Sequence, residues 1–226
     1  MTSIYWTMFI LVAVVSYLVQ IIFQRRIAKA SAVSSRYSGK ETAEMMLSQF
    51  NIHGVKVVST EGELTDNYNP SNNTVNLSNT VYGQRNVAAM AVAAHECGHA
   101  VQHAQGYFPV KVRSALVPVV SFASRIMSLV LLGGMLLINV FPQLMMFGIA
   151  LFAMTTLFSL VTLPVEINAS RRALAWLRTS GLAAPDTYDE MQGALKAAAY
   201  TYVVAALSSL ATLIYYIAIF TGGRRN

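Results

Sequence analysis

The sequence predicts an α-helical membrane protein with four transmembrane segments and a polar domain between the first and the second. That domain should hold a small antiparallel β element. Three observations predict this class. Only 12% of the 226 residues are charged and 55% are hydrophobic, against about 25% charged in soluble domains. Four apolar stretches approach or reach the length needed to cross a hydrocarbon core of about 30 Å. The basic residues cluster beside those stretches, as the bias of Lys and Arg toward the cytoplasmic side predicts. The net charge of +6 therefore reads as membrane topology, with the lipid bilayer as partner and no nucleic acid. A single cysteine, Cys97, excludes an intrachain disulfide.

Residues 1–23 form the first segment. Ile4 to Phe23 is a 20-residue stretch without charge, and Tyr5 and Trp6 suit the headgroup belt. A cleaved signal peptide would carry basic residues before a shorter apolar core. Here Arg25, Arg26 and Lys29 follow it, which predicts an uncleaved anchor with its amino terminus outside.

Residues 24–113 form the polar domain. Its nine Lys and Arg residues place it in the cytoplasm. Ser38-Gly-Lys-Glu41 is a capping box before a helical pattern through Phe50. Val55 to Val58 is a short strand. Leu64 to Tyr68 and Thr74 to Leu77 read as two strands joined by the 69–73 loop. Thr74, Val75, Asn76, Leu77 and Ser78 are the candidate edge on which an extended peptide would pair. A hairpin that only covers the following helix fits the same pattern equally well.

That following helix carries the chemistry. Val87 to His95 holds eight small or apolar residues in nine and leads into His95-Glu96-Cys97-Gly98-His99. Residues i and i+4 stack on one helix face. Two imidazoles so placed can bind one zinc ion, and Glu96 beside them can take a proton from an attacking water. Gly98 costs about 1 kcal/mol against Ala within a helix, which predicts close approach of another element. Cys97, two residues from each histidine, points elsewhere and reads as a small packed residue. Two histidines satisfied by hydrogen bonds on a buried helix are the bland reading, and the motif's specificity outweighs it.

A catalytic zinc site needs a third protein ligand and an open position. His103 lies about 6 Å further along the axis from His99, which places it beside the site or at the surface. The remaining donor is Glu166, the only acid between Glu96 and Asp186. It follows a charge-free run and begins a helical-looking segment, Val165 to Leu177. A carboxylate favoured by a helix start is the bland alternative. Topology favours the ligand. Residues 114–163 read as a transmembrane hairpin with Phe141-Pro-Gln143 at its outer turn and Leu144 to Leu163 as a clean second arm. Glu166 then returns to the side of the histidines. Arg125, in the first arm, reads as lying near that arm's inner end and snorkelling to the interface.

Residues 164–196 should form a cytoplasmic helix and a polar loop, Ala183 to Glu190. Arg171 and Arg172 serve there as topology anchors, as oxyanion donors or as supports of Glu166. Tyr68, Tyr82 and His103 are further candidate donors. Residues 197–226 hold a fourth uncharged stretch, Ala197 to Phe220. It would place Arg224 and Arg225 outside, against the charge rule, so a re-entrant segment stays open.

Ala94 to Gln102, Leu64 to Pro70 with Val75 to Ser78, and Leu163 to Ser170 together resemble the YugP-type bacterial membrane zinc metallopeptidases, which are neutral zinc proteases. That family is distantly similar in architecture to the HtpX/Ste24 membrane proteases. The resemblance covers almost the whole chain in the order of its parts. It implies His95, His99 and Glu166 as ligands of one Zn2+ per chain and Glu96 as the catalytic residue. Where the family pattern carries aspartate this chain has Asn168, which bears on a charged supporting role there and not on the ligand set.

The fold expected is thus a zincin-like H-E-x-x-H helix packed against four transmembrane segments in a multi-pass protein of the bacterial plasma membrane. The function expected is a zinc metalloendopeptidase acting on membrane-protein or peptide substrates at the cytoplasmic surface. The rival from another class is a non-catalytic zinc-binding scaffold or chaperone-like adaptor. It would want four protein ligands and no water.

Overall fold

A computed structural model describes residues 2–223. Arg224 and Arg225, and the topology question they raise, lie outside the described residues. The elements in order are α1 (Thr2–Ser31), α2 (Gly39–Gln49), β1 (Lys56–Thr60), β2 (Asn67–Asn69), β3 (Thr74–Ser78), α3 (Val87–Ala104), α4 (Phe108–Leu136), α5 (Pro142–Thr179) and α6 (Pro185–Gly223). Four of them, α1, α4, α5 and α6, are long and apolar enough to cross a membrane. The chain divides into two compact units. One comprises residues 18–110 and 165–201; the other comprises residues 111–164 with the chain up to 17 and from 202 onward.

The first unit is organised around α3. Fourteen of its residues are buried, from Val87 to Gln102. A helix surrounded on every side must be thin, and Ala at 88, 89, 91, 93, 94 and 100 makes it so. Its start is fixed twice. Asn86 caps it by accepting the Ala89 N–H at 2.8 Å. Val87 also donates its N–H to the Val33 carbonyl at 2.9 Å, which ties the entry to the chain just after α1. Met46 and Leu47 of α2, Val75 and Leu77 of β3, and Trp176 and Leu177 of α5 complete the core. The Ser38 capping box forms as the sequence predicts: Glu41 donates its N–H to Ser38 Oγ at 3.2 Å, and Ser38 donates its N–H to Glu41 Oε2 at 2.8 Å.

The sheet differs from expectation. It has three strands in the order β1-β3-β2, with β1 parallel and β2 antiparallel to β3. Thr74, Val75, Asn76, Leu77 and Ser78 are therefore the central strand and not the edge, because β1 fills the side that a simple hairpin would leave open. The hairpin itself is present, with Asn67 opposite Asn76 and Asn69 opposite Thr74. Its first strand is shorter than 64–68, since Leu64 has a positive φ of 56° and breaks the extended run.

The second unit contains a hairpin of α4 and α5. A Cβ at Gly134 would lie 2.6 Å from the Met145 Cα, so only glycine lets the two backbones meet there. Thr156 of α5 and Ser209 of α6 share a hydroxyl hydrogen bond of 2.8 Å, a contact suited to helices in lipid. Tyr215 of α6 packs edge-on against Tyr5 and Phe9 of α1.

Two sequence expectations are corrected here. Val165 to Leu177 is not a separate helix: α5 runs unbroken from Pro142 to Thr179 with Pro164 inside it. Proline removes one helical hydrogen bond, and buried Val165, Ala169, Ala173, Trp176 and Leu177 hold the helix beyond it. The 183–190 stretch is not all loop, because Pro185 opens α6; proline suits the first helical position, where its missing N–H costs nothing. α4 runs from Phe108 to Leu136, so Arg125 lies near the middle of a continuous helix.

Candidate metal centre

The H-E-x-x-H helix and the C-terminal part of α5 lie against each other within one unit. Their approach is set at Gly98. A Cβ there would sit 2.6 Å from the Ala169 carbonyl oxygen, so any side chain would force α3 and α5 apart. The close approach inferred from this glycine is thus made by the helix that carries Glu166.

At that crossing, Oε2 of Glu166 lies 3.2 Å from Nε2 of His95 and 3.3 Å from Nε2 of His99. The imidazole rings are 4.9 Å apart and nearly perpendicular, at 85°. His95, His99 and Glu166 form the one group of three or more potential ligands among the described residues that could hold a metal ion. The geometry fits. Donors about 2.0–2.1 Å from a tetrahedral zinc ion lie about 3.3–3.4 Å from one another. The donor set, two imidazoles and a carboxylate, is also one that zinc uses in open sites. Glu166 is nearly enclosed and the histidine side chains keep 13% and 11% of their surface exposed, which leaves an approach from solvent.

The second nitrogen of each histidine is also engaged. Gln102, fully buried, donates from Nε2 to the Val165 carbonyl at 2.8 Å and to Asn168 Oδ1 at 2.9 Å. A backbone carbonyl can only accept, so the amide orientation of Gln102 is fixed. Its Oε1 must then accept from Nδ1–H of His99, 3.0 Å away. That assigns the proton to Nδ1 and leaves the Nε2 lone pair directed at Glu166. Arg172 anchors the far end by donating from Nε to Asn168 Oδ1 at 2.7 Å and from Nη1 to Gln105 Oε1 at 2.5 Å. Its guanidinium also lies over the Tyr107 ring, 5.9 Å from the centroid. His95 Nδ1 is 3.0 Å from Ser170 Oγ, one helical turn beyond Glu166 on α5.

Glu96 is buried beside its histidine neighbours, and the Tyr68 backbone N–H donates to its Oε2 at 3.0 Å. That N–H points away from β3, so the outer side of β2 faces the site. Burial pushes the Glu96 carboxyl up to about 7; the charge of His95 and the Tyr68 N–H oppose the rise, and Glu166 and Asp66 add to it. A divalent cation at the adjacent donors would draw that value back toward the carboxylate range.

The other sequence candidates fall around this group. His103 is exposed and packs edge-on against the Tyr68 ring at 5.9 Å, away from the ligand cluster. The Tyr68 hydroxyl reaches Asn73 Oδ1 at 3.4 Å. Tyr82 faces the ammonium of Lys40. Arg171 is exposed, and Arg172 braces Asn168. Cys97 is fully buried with its thiol 3.6 Å from the Ala43 carbonyl, and burial pushes that thiol up. Sequence reasoning passed over Gln102 and Ser170. The signal for Gln102 was its place three residues after His99, on the same face of the helix.

The chain is 42% identical over 197 residues to "Putative membrane protease YugP" of Bacillus subtilis (strain 168), an alignment covering 87% of this chain and 86% of that protein. No solved structure matches. A family described as "Putative neutral zinc metallopeptidase" matches residues 5–221. With a match over nearly its full length, the chain belongs to this family of membrane zinc metallopeptidases.

Proposed function

We propose that this protein is a zinc-dependent endopeptidase of the bacterial cell membrane, hydrolysing peptide bonds of membrane or membrane-proximal proteins at the cytoplasmic surface. One observation carries the reading. Two histidines and a glutamate from two helices converge at ligand spacing, with a second glutamate from the motif helix beside them. His95, His99 and Glu166 would hold the ion, which would supply polarisation of a scissile carbonyl and a more acidic water.

The chain's own residues do the rest. Glu96 takes a proton from the attacking water and passes it to the leaving amine. The Tyr68 N–H holds one oxygen of Glu96, Oε2, and leaves Oε1 to handle the proton. Gln102 keeps His99 in the tautomer that presents Nε2. An extended substrate lies along the outer side of β2, the strand that borders Glu96. Three protein donors are one fewer than a closed structural zinc site would use, which supports catalysis. The Lys and Arg residues of the 24–113 segment support a cytoplasmic location.

The test is Glu96→Gln in detergent-purified protein, followed by zinc content and cleavage of fluorescently labelled casein. Zinc is retained and turnover falls by at least about 100-fold, the scale of general-base catalysis. Full turnover in this variant would remove Glu96 from the reaction.

A further inference from the structure

Arg125 has no role in the peptidase site, and its place in the fold is costly. It sits on α4, 12 residues beyond Arg113 and 11 before Leu136, where the helix ends. Those spacings are about 18 Å and 16 Å along the axis. The basic pair Lys111 and Arg113 suits one interface, and the turn at 137–141 suits the other. In a bilayer crossed by α4, those spacings would put Arg125 near the middle of the apolar layer, too deep on either side for an extended arginine to reach water. The packing against α5 agrees. Gly134 meets Met145 and Gly148 meets Leu131; that register brings Arg125 level with about Met154, midway along the uncharged stretch 144–163.

The guanidinium is exposed on the outer face of α4 and makes no ion pair or hydrogen bond among the described residues. Ser121, Arg125, Ser128 and Leu132 follow at helical spacing, all exposed, with Ser124 beside them. Phe122 and Leu129 flank this stripe, with 61% and 73% of their surface exposed. Small hydroxyl residues let a neighbouring helix approach closely and offer it hydrogen bonds. A charge at membrane depth that its own chain does not neutralise calls for an opposite charge from elsewhere.

We propose that this face of α4 docks a transmembrane helix of another membrane protein, one that carries an aspartate or glutamate at mid-membrane depth to pair with Arg125. A second copy of this chain does not fit. None of the apolar stretches 4–23, 126–141, 144–163 and 197–220 contains an acidic residue. Two copies meeting through this face would set arginine against arginine. The proposal is independent of the peptidase reading, because Arg125 is not among the residues of the metal centre.

The test uses the full chain in phosphatidylcholine vesicles, with a donor dye at its amino terminus. The probes are acceptor-labelled, lysine-flanked helices of twenty leucines in which one central residue is Glu, Gln or Leu. Energy transfer to the Glu helix should reach half-saturation at about tenfold lower peptide-to-lipid ratio than with the Leu helix, the scale of one interhelical polar contact of 1–2 kcal/mol. That preference should vanish in Arg125→Leu and in Arg125→Gln and survive in Arg125→Lys. Because Arg125 makes no hydrogen bond or ion pair among the described residues, the variants should melt at or above the wild-type temperature. Equal transfer to all three helices, or an undiminished Glu preference in both neutral variants, would overturn the proposal. So would self-association of wild-type copies that Arg125→Leu abolishes.

Discussion

Replacing Gln102 by Leu should separate the support of the metal centre from the centre itself. The side chain is fully buried and links three groups: Nδ1–H of His99, the Val165 carbonyl and Oδ1 of Asn168. Leu keeps much of the volume and none of the bonds. The Val165 carbonyl remains within α5, and Asn168 Oδ1 keeps Arg172. Only the His99 N–H loses its partner outright. An orphaned buried donor costs about 1–3 kcal/mol, so the fold should lose about 2 kcal/mol. The imidazole is then free to turn and to shift its proton, and removing such a partner lowers metal affinity by about 10- to 100-fold. Chelator competition on detergent-purified protein reads the affinity, and thermal unfolding reads the stability. Gln102→Glu sharpens the comparison. Its carboxylate can still accept from His99 but cannot donate to Val165 or Asn168. It should hold zinc better than the Leu variant while melting lower than wild type. Zinc affinity in Gln102→Leu within threefold of wild type would refute the assignment of the His99 tautomer to Gln102.

Two further outcomes follow from the packing. Gly98→Ala would place a methyl 2.6 Å from the Ala169 carbonyl oxygen. It should cost about 1–3 kcal/mol by overpacking and lower zinc occupancy, since Glu166 lies on the helix that must move; unchanged melting and zinc content would show that the two helices are free to part. Cys97 is fully buried and its thiol is held above the ordinary range by burial. It should resist iodoacetamide in the native protein and react once the chain is unfolded in guanidinium, as mass spectrometry of the peptide containing it would show; rapid native labelling would mean that α3 opens readily.

Much of the site was legible in the chain because its parts follow short-range rules. The i, i+4 spacing of His95 and His99 and the intervening Glu96 are properties of a single helix. Gly98 announced a close neighbour without saying which one. Glu166, 67 residues beyond His99, was reached through topology: two apolar arms between them return the chain to the same side. Gln102 escaped because amide residues are common at helix surfaces, and its linkage to Asn168 and Arg172 exists only where α3 and α5 cross. The central place of Thr74–Ser78 escaped for a related reason. Its hairpin with β2 is local, but its parallel pairing with β1 passes over an intervening strand and leaves no periodic trace. Pro164 and Pro185 misled in opposite directions. One lies within a helix that packing sustains, and the other begins a helix that a polar stretch concealed.

The central claim is that Glu166 completes a three-ligand zinc site with His95 and His99. The most direct measurement is zinc stoichiometry, by mass spectrometry of the metal, on detergent-purified wild type, Glu166→Ala and His103→Ala. One zinc per chain in wild type and in His103→Ala, with loss in Glu166→Ala, is the result this account predicts. Full zinc in Glu166→Ala would contradict it, and loss in both variants would mean a closed four-ligand site in place of a catalytic one.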